Sequence, residues 1–421
     1  MKVLIKQATI VCPSSPLKGQ IKDILIEQGI IRAIEDNISE TADKLIEIPG
    51  LHLSPGWMDI FAHCCDPGLE HRETLETAAA AAAAGGFTDI MALPNTNPAI
   101  HNKAQVEYIV QKSKSLPVTI HPIGAVTKNT DGAELAEMYD MQQAGAMAFG
   151  DGINSIQSSG LLIKALQYVK AFNGTIIQLP DDKSINPGGL MNEGIISTQL
   201  GLPGKPAMAE ELMVARDIKL ARYAGSRIHF TGISSAKSLE YIKRAKESGI
   251  SVSCSVTPYH LFFTDSDLTG YDTNLKVNPP LRTETDRQAL IQGLIDGTVD
   301  CIASHHLPQH YDNKVCEFEY AKNGMIGLET LFGVVWAMTH THWPVEKLVE
   351  KLAVSPRKLF GLPVPEIKAG TAANLTLFNP NTTFAFEESL IQSKSKNSGF
   401  TGQFLKGTVL GIINGNKMAL Q

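Results

Sequence analysis

One short stretch concentrates the residues that could do chemistry. Past the apolar run Met58–Ala62 the chain reads His63, Cys64, Cys65 and Asp66, with turns at Pro55-Gly56 before it and Pro67-Gly68 after it. Imidazole, thiolate and carboxylate side chains carry protons and ligate metals. Placed just past the C-terminal end of a buried strand, they occupy the position where an α/β barrel keeps its active site. One letter resists this reading: two residues before His63 stands Phe61, which has no lone pair to give a metal. Cys64 and Cys65 would point to opposite faces of a strand, which argues against a disulfide between them. As a reactive thiol pair they have no evident base in the sequence.

The other candidate residues follow the same rule of position. Apolar strand-like runs at 89–93, 118–123, 146–149, 175–179, 227–231, 252–256 and 300–304 alternate with helical patterns, among them 73–84, 102–115, 133–143 and 209–224. With Met58–Ala62 this makes eight strands with intervening helices, the pattern of a closed parallel (β/α)8 barrel (TIM barrel). An open doubly wound sheet is the alternative, without the G-x-G-x-x-G fingerprint after its first strand. Just past the strand ends lie Asn95, Thr96 and Asn97; Asp151; Leu179, Asp181 and Asp182; Gly232; Tyr259 and His260; Asn278 and Arg282; and the run from Ser304 to His310. The Asp181-Asp182-Lys183 run reads as a solvated loop, His229 as a core histidine, and His340-Thr-His342 as surface. Short β-like runs in residues 1–52 and 366–421 have no helix between them, so the two ends are expected to join in one small β-sandwich flanking a barrel over 53–365.

Composition bounds the rest. The 421 residues carry a net charge of −6 and are 43% hydrophobic but only 19% charged, which points to a large buried fraction or extensive interfaces. No basic excess speaks for nucleic acid or an anionic membrane, and the alanine run 78–84 is too short to span a bilayer. Six scattered cysteines without a C-x-x-C pair fit reduced thiols and a cytoplasmic chain.

Longer motifs then carry a resemblance. Leu93-Pro-Asn-Thr-Asn-Pro, Val214-Ala-Arg-Asp-Ile, Thr257-Pro-Tyr-His-Leu, Val277-Asn-Pro-Pro-Leu-Arg, Gly327-Leu-Glu-Thr and Ser355-Pro-Arg-Lys-Leu-Phe-Gly-Leu are together similar to class I dihydroorotases of the amidohydrolase superfamily. The resemblance implies zinc chemistry: a metal hydroxide attacks the ring carbonyl while a strand-8 aspartate moves the proton. Carried over residue by residue, it keeps His63 and the strand-4 carboxylate Asp151. The other four metal-site positions fall on Phe61, Leu179, Gly232 and His305, the last replacing the catalytic aspartate. The arginine that holds the substrate carboxylate falls at Cys65, while Asn97 and Arg282 match substrate-facing positions.

Three expectations follow. The first is a dihydroorotase-like protein without catalytic residues or zinc, acting as a structural partner of aspartate transcarbamoylase and itself a homodimer, as the resemblance implies. The second is an active amidohydrolase, a dihydroorotase or another hydrolase of cyclic amides, with a metal site rebuilt around His63, Asp151, His305 and His306; one vestigial metal ion is the corresponding cofactor alternative. The third is a sensor that binds pyrimidine intermediates.

Overall fold

The computed structural model describes residues 1–421. Eight parallel strands follow one another in chain order around the sheet: Trp57–Ala62, Phe87–Ala92, Thr119–Gly124, Ala148–Phe149, Thr175–Gln178, Arg227–Phe230, Val252–Val256 and Cys301–Ile302. We number them barrel strands 1 to 8. The sheet closes where the chain beyond strand 8 meets strand 1: Ala62 bridges His306, and the His63 amide donates to the His306 carbonyl at 2.8 Å. The expected barrel is present. Met58, Ile60, Phe61, Met91, Ile123, Ile177 and Cys301 fill its interior, and a 62-residue cluster seals strands against helices. Burial on both faces explains why these strands read as continuous apolar runs.

Strand 1 has an irregularity that aims its end. Its pairing register with strand 2 shifts between Asp59 and Ala62. The buried Asp59 carboxylate receives the Phe61 amide at 3.2 Å, the Ser304 amide at 2.6 Å and the Ser304 hydroxyl at 2.8 Å. One side chain thus holds the bulge and ties strand 1 to the end of strand 8.

Helices cover the outside, and their caps are written locally. Thr74 caps Leu75–Ala84 through a reciprocal bond with Thr77, and Thr283 caps Glu284–Asp296 with Asp286 in the same way. The helix expected over 133–143 forms only at Met138–Gln143. Ahead of it, an antiparallel bridge from Thr127 to Leu135 closes around Asp131-Gly132 and draws those residues out of helical geometry.

The two ends of the chain meet in a single eight-stranded sheet. Lys2–Ile10, Ile21–Glu27, Ile30–Glu35, Lys44–Glu47 and His52–Pro55 join Asn374–Ala385, Phe404–Asn414 and Lys417–Leu420. Val3, Ile24, Leu53, Leu375 and Ile413 share one apolar cluster there. Trp57 links this sheet to the barrel, its ring centroid 5.4 Å from Phe378 and 4.8 Å from Phe332. Below it, Arg357 reaches across to Asp89 at 2.5 Å, and the Asp89 carboxylate also meets His121 at 2.9 Å. No helix is long and apolar enough to cross a membrane.

Candidate functional site

The C-terminal ends of the barrel strands converge on a cavity of about 340 Å³. Its floor is Phe61, Leu93, Leu179, Tyr259 and His305; Arg72, Asn278 and Lys322 stand around it. The four positions where the resemblance loses a metal-site residue come together here. Phe61 and His305 stack at 4.3 Å between centroids with 26° between planes. The His305 ring is fixed by Thr231, whose hydroxyl lies 2.7 Å from Nε2. Gly232 passes behind it with φ of +68°, and a Cβ at that residue would lie 2.5 Å from His305 Cε1 and 3.2 Å from Leu179 Cδ1. Glycine is required twice over, by the left-handed backbone and by the ring it must clear. An imidazole, a phenyl ring and an isobutyl group thus fill one contact, and glycine makes room for it.

The two retained residues are engaged elsewhere. His63 Nδ1 lies 3.0 Å from the Cys65 amide and 3.1 Å from Cys65 Sγ. Burial, aided by the nearby Arg72 charge, pulls His63 down to about 3, and burial pushes the Cys65 thiol up to about 12. The pair is a neutral thiol against a neutral imidazole, the reverse of an activated thiolate. Asp151 turns toward the loop after strand 3 and accepts from the Val126 amide at 3.0 Å, the Thr127 amide at 2.9 Å and the Thr127 hydroxyl at 2.5 Å. Burial still outweighs those bonds and raises its carboxyl to about 6. His306 faces Glu73 at 3.4 Å and receives the Gly327 amide at 3.3 Å. His63, Asp151, His305 and His306 are therefore each satisfied by a different neighbour.

This bears directly on the zinc that the resemblance implies. A catalytic zinc takes about three protein ligands with N, S or O lone pairs and leaves a position open. No three histidine, cysteine, aspartate or glutamate side chains are grouped to hold a metal ion. Phe61 and Leu179 offer only carbon, Gly232 offers no side chain, and the imidazole of His305 is committed to Thr231. The donor set does not fit the metal.

Neither residue matched to a substrate-facing position lines the cavity. Asn97 is exposed on its turn, its amide donating to the Pro67 carbonyl at 2.9 Å. Arg282 is buried and bonds the Ser234 hydroxyl at 3.0 Å, Asn192 Oδ1 at 2.9 Å and the Lys205 carbonyl at 3.1 Å. Asp181, expected in a solvated loop, is instead buried and paired with Lys205 at 2.7 Å. The Lys205 ammonium compensates the carboxylate, and nothing in the letters Asp-Asp-Lys foretold a partner more than twenty residues away. His229 is buried between Ser253 and Ser255, and His342 is exposed. Arg72, Lys322 and Asn323 line the cavity from loops with no periodic signal, so no sequence pattern pointed to them.

Comparison with known proteins agrees with this architecture. Among solved structures, the L-hydantoinase (dihydropyrimidinase) of Arthrobacter aurescens superposes with a TM-score of 0.85 at 24% identity, covering 100% of this chain and 96% of that one. The dihydropyrimidinase of Brevibacillus agri NCHU1002 gives 0.83 at 19% identity. The likeness shows the fold: a (β/α)8 barrel with an added terminal sheet, shared with these structures. A family description, dihydro-orotase-like, matches residues 50–238. The dihydroorotase of Syntrophus aciditrophicus is 39% identical over 414 residues, covering 97% of each chain. That of Acetivibrio thermocellus is 41% identical over 418 residues, covering 98% of each. This chain belongs to the dihydroorotase-like family.

Proposed function

We propose that this protein is a non-catalytic member of the dihydroorotase-like family. In this reading it serves pyrimidine biosynthesis in the cytoplasm as a homodimeric structural partner of aspartate transcarbamoylase. One observation carries the loss of catalysis: His305, Phe61 and Leu179 pack together over Gly232, at the positions matched to metal ligands and the catalytic aspartate. Without the aspartate, proton transfer loses about 10²–10⁴ in rate. Without the metal there is no hydroxide nucleophile at neutral pH. His63, His229 and His305 are pulled to about 3 by burial and His260 to about 4, so none of these four imidazoles is protonated at pH 7. The relatives are named dihydroorotase, and that activity is the one this reading denies to this chain.

The partnership rests on the family resemblance and on a barrel whose frame is intact. Its test begins with metal content and dihydroorotate turnover of protein prepared without chelator. Less than about 0.2 metal per chain with no turnover supports the reading, and stoichiometric zinc with turnover refutes it. Mixing with aspartate transcarbamoylase from the same cell tests the partner role. Co-elution with restored transferase stability is expected; a transferase that is stable and active alone, and ignores this chain, ends it.

The open cavity favours a second reading, a sensor of pyrimidine intermediates. A space of about 340 Å³ with Phe61, Leu93 and Leu179 on its apolar side and Arg72 and Asn278 among its polar residues is of a size that takes a small organic acid. A thermal shift with dihydroorotate or carbamoyl aspartate would support it, and no shift at millimolar ligand removes it.

A further inference from the structure

Beside the barrel mouth lies a second cavity, of about 460 Å³, between the chain at 309–315 and the segment 394–397. Three lysines line it, Lys314, Lys394 and Lys396, against one carboxylate, Glu388. That is a local positive excess on a chain whose net charge is −6. Lys314 is the unusual member. It is only 5% exposed, and its ammonium donates to the carbonyls of Thr273 at 2.8 Å and Lys276 at 3.4 Å, with no carboxylate among its partners. An ammonium has three donors, so one remains for a guest. Lys394 and Lys396 are exposed and rest on carbonyls: Lys394 on Glu70 at 2.6 Å, Lys396 on Ile391 at 2.6 Å and Ser393 at 3.0 Å. His71 and His310 face one another across the wall with ring centroids 6.0 Å apart, and Tyr311 stands exposed beside them.

We propose that this cavity binds a small phosphate ester, with Lys314 at its base, Lys394 and Lys396 around the phosphate, and the His71 and Tyr311 rings against the organic part. Ammonium groups act as point charges and suit the tetrahedral phosphate, whereas planar carboxylates are held best by the fork of an arginine, and no arginine lines this cavity. The volume admits a ligand of nucleotide size. The charge state of Lys314 supports the same conclusion. Burial first, then the neighbouring Lys276, pull it down to about 7, while Asp272 and Cys316 act in the opposite direction. Of the other wall groups, Lys394, Lys396, His71 and His310 oppose its charge when protonated, and Glu388 favours it. An arriving dianion raises the Lys314 pKa, so binding near pH 7.5 takes up protons. The site holds no residue of the Phe61–His305 contact, so its failure would leave the proposed function untouched.

Isothermal titration with inorganic phosphate and with phenyl phosphate, each in two buffers of different ionisation enthalpy, tests the site. Saturable binding is expected for both, tighter for phenyl phosphate, with proton uptake revealed by the buffer dependence. The double variant Lys394→Ala/Lys396→Ala should weaken binding about tenfold or more. Lys314→Met should lower the proton uptake, leaving the share that His71 and His310 take; if its loss of two carbonyl contacts prevents folding, the exposed double variant carries the test. The proposal is overturned if neither phosphate binds saturably beyond the effect of chloride at equal ionic strength. It is equally overturned if the double variant binds as tightly as the parent.

Discussion

Substituting Gly232 by alanine probes whether the His305 ring occupies the space where the resemblance expects chemistry. Alanine at φ of +68° costs about 1–2 kcal/mol for the left-handed backbone. A Cβ placed 2.5 Å from His305 Cε1 adds about 1–3 kcal/mol of overpacking. The sum is about 2–5 kcal/mol of lost stability. The second term depends on the ring and the first does not. His305→Ala alone costs about 2–4 kcal/mol, for it removes the stack on Phe61 and the Thr231 bond. In that background the overlap at 2.5 Å is gone and only the Leu179 contact at 3.2 Å remains. Gly232→Ala should then cost little more than its backbone term, and the coupling between the two substitutions should be about 1–3 kcal/mol in favour of the double variant. Urea unfolding of the four proteins, followed by circular dichroism at constant slope, measures it. If Gly232→Ala costs the same in both backgrounds to within about 0.5 kcal/mol, the ring does not fill that space and the packing argument fails.

Further outcomes follow from the same contacts. His305→Asp restores the family's strand-8 residue alone, and it should bring neither zinc nor turnover. It sets a carboxylate against Phe61 without a cation, at a cost of about 3–5 kcal/mol, so metal analysis beside a melting curve checks both halves. At the other end of the barrel, burial pushes the Asp89 carboxyl up, but the His121 bond and the Arg357 charge prevail and hold it at about 2. A carboxylate depressed on folding contributes stability above its unfolded value of 3.8, and that contribution is lost as pH falls through about 2. Arg357→Ala should cost about 3–5 kcal/mol at neutral pH and progressively less in acid, where Asp89 protonates; melting temperature against pH reads this, and a pH-independent cost would contradict it. Five of the six cysteines are buried, with only Cys316 partly accessible. A disulfide reagent should therefore titrate one thiol in native protein and six after unfolding, and prompt reaction of Cys64 or Cys65 would refute the burial described here.

How much of this was legible depended on the range of each interaction. All eight barrel strands were readable because each is a short, mostly buried run bounded by its own turn letters. The helical pattern over 133–143 overreaches because a bridge from Thr127 to Leu135, invisible to periodicity, competes for its first half. Asp181 departs from expectation for a related reason: its environment is Lys205, and a solvated acid and a buried ion pair use the same letter. The cavity wall was the least legible part. Arg72 is held by the Pro308 carbonyl at 2.8 Å through a loop-to-loop contact that no local pattern encodes. The Phe61–His305 stack joins residues more than two hundred positions apart in the sequence, and only the family resemblance suggested that their identities belonged together.

The seam between strand 1 and strand 8 explains why some residues there keep polar identities while their neighbours do not. Along it, Asp59 holds Ser304, the His63 amide bonds the His306 carbonyl, and the His306 ring rests between Glu73 and Gly327. Glu73 in turn accepts from the Ser393 hydroxyl and the Lys394 amide, anchoring the segment that follows the barrel. The Asp59, Glu73, Ser304 and His306 side chains are buried, and removing any one strands its partners, at about 1–3 kcal/mol for each unsatisfied group. Phe61 and His305 lie between them in sequence but face the mouth, where closure of the barrel makes no demand on them. Positions on the seam are therefore constrained by the fold whether or not the protein catalyses anything. Those facing the mouth are not needed to close the sheet and answer to their own packing instead. Phe61, Leu179 and His305 all belong to the second group, which is what the proposed non-catalytic reading expects of a barrel whose closure is intact.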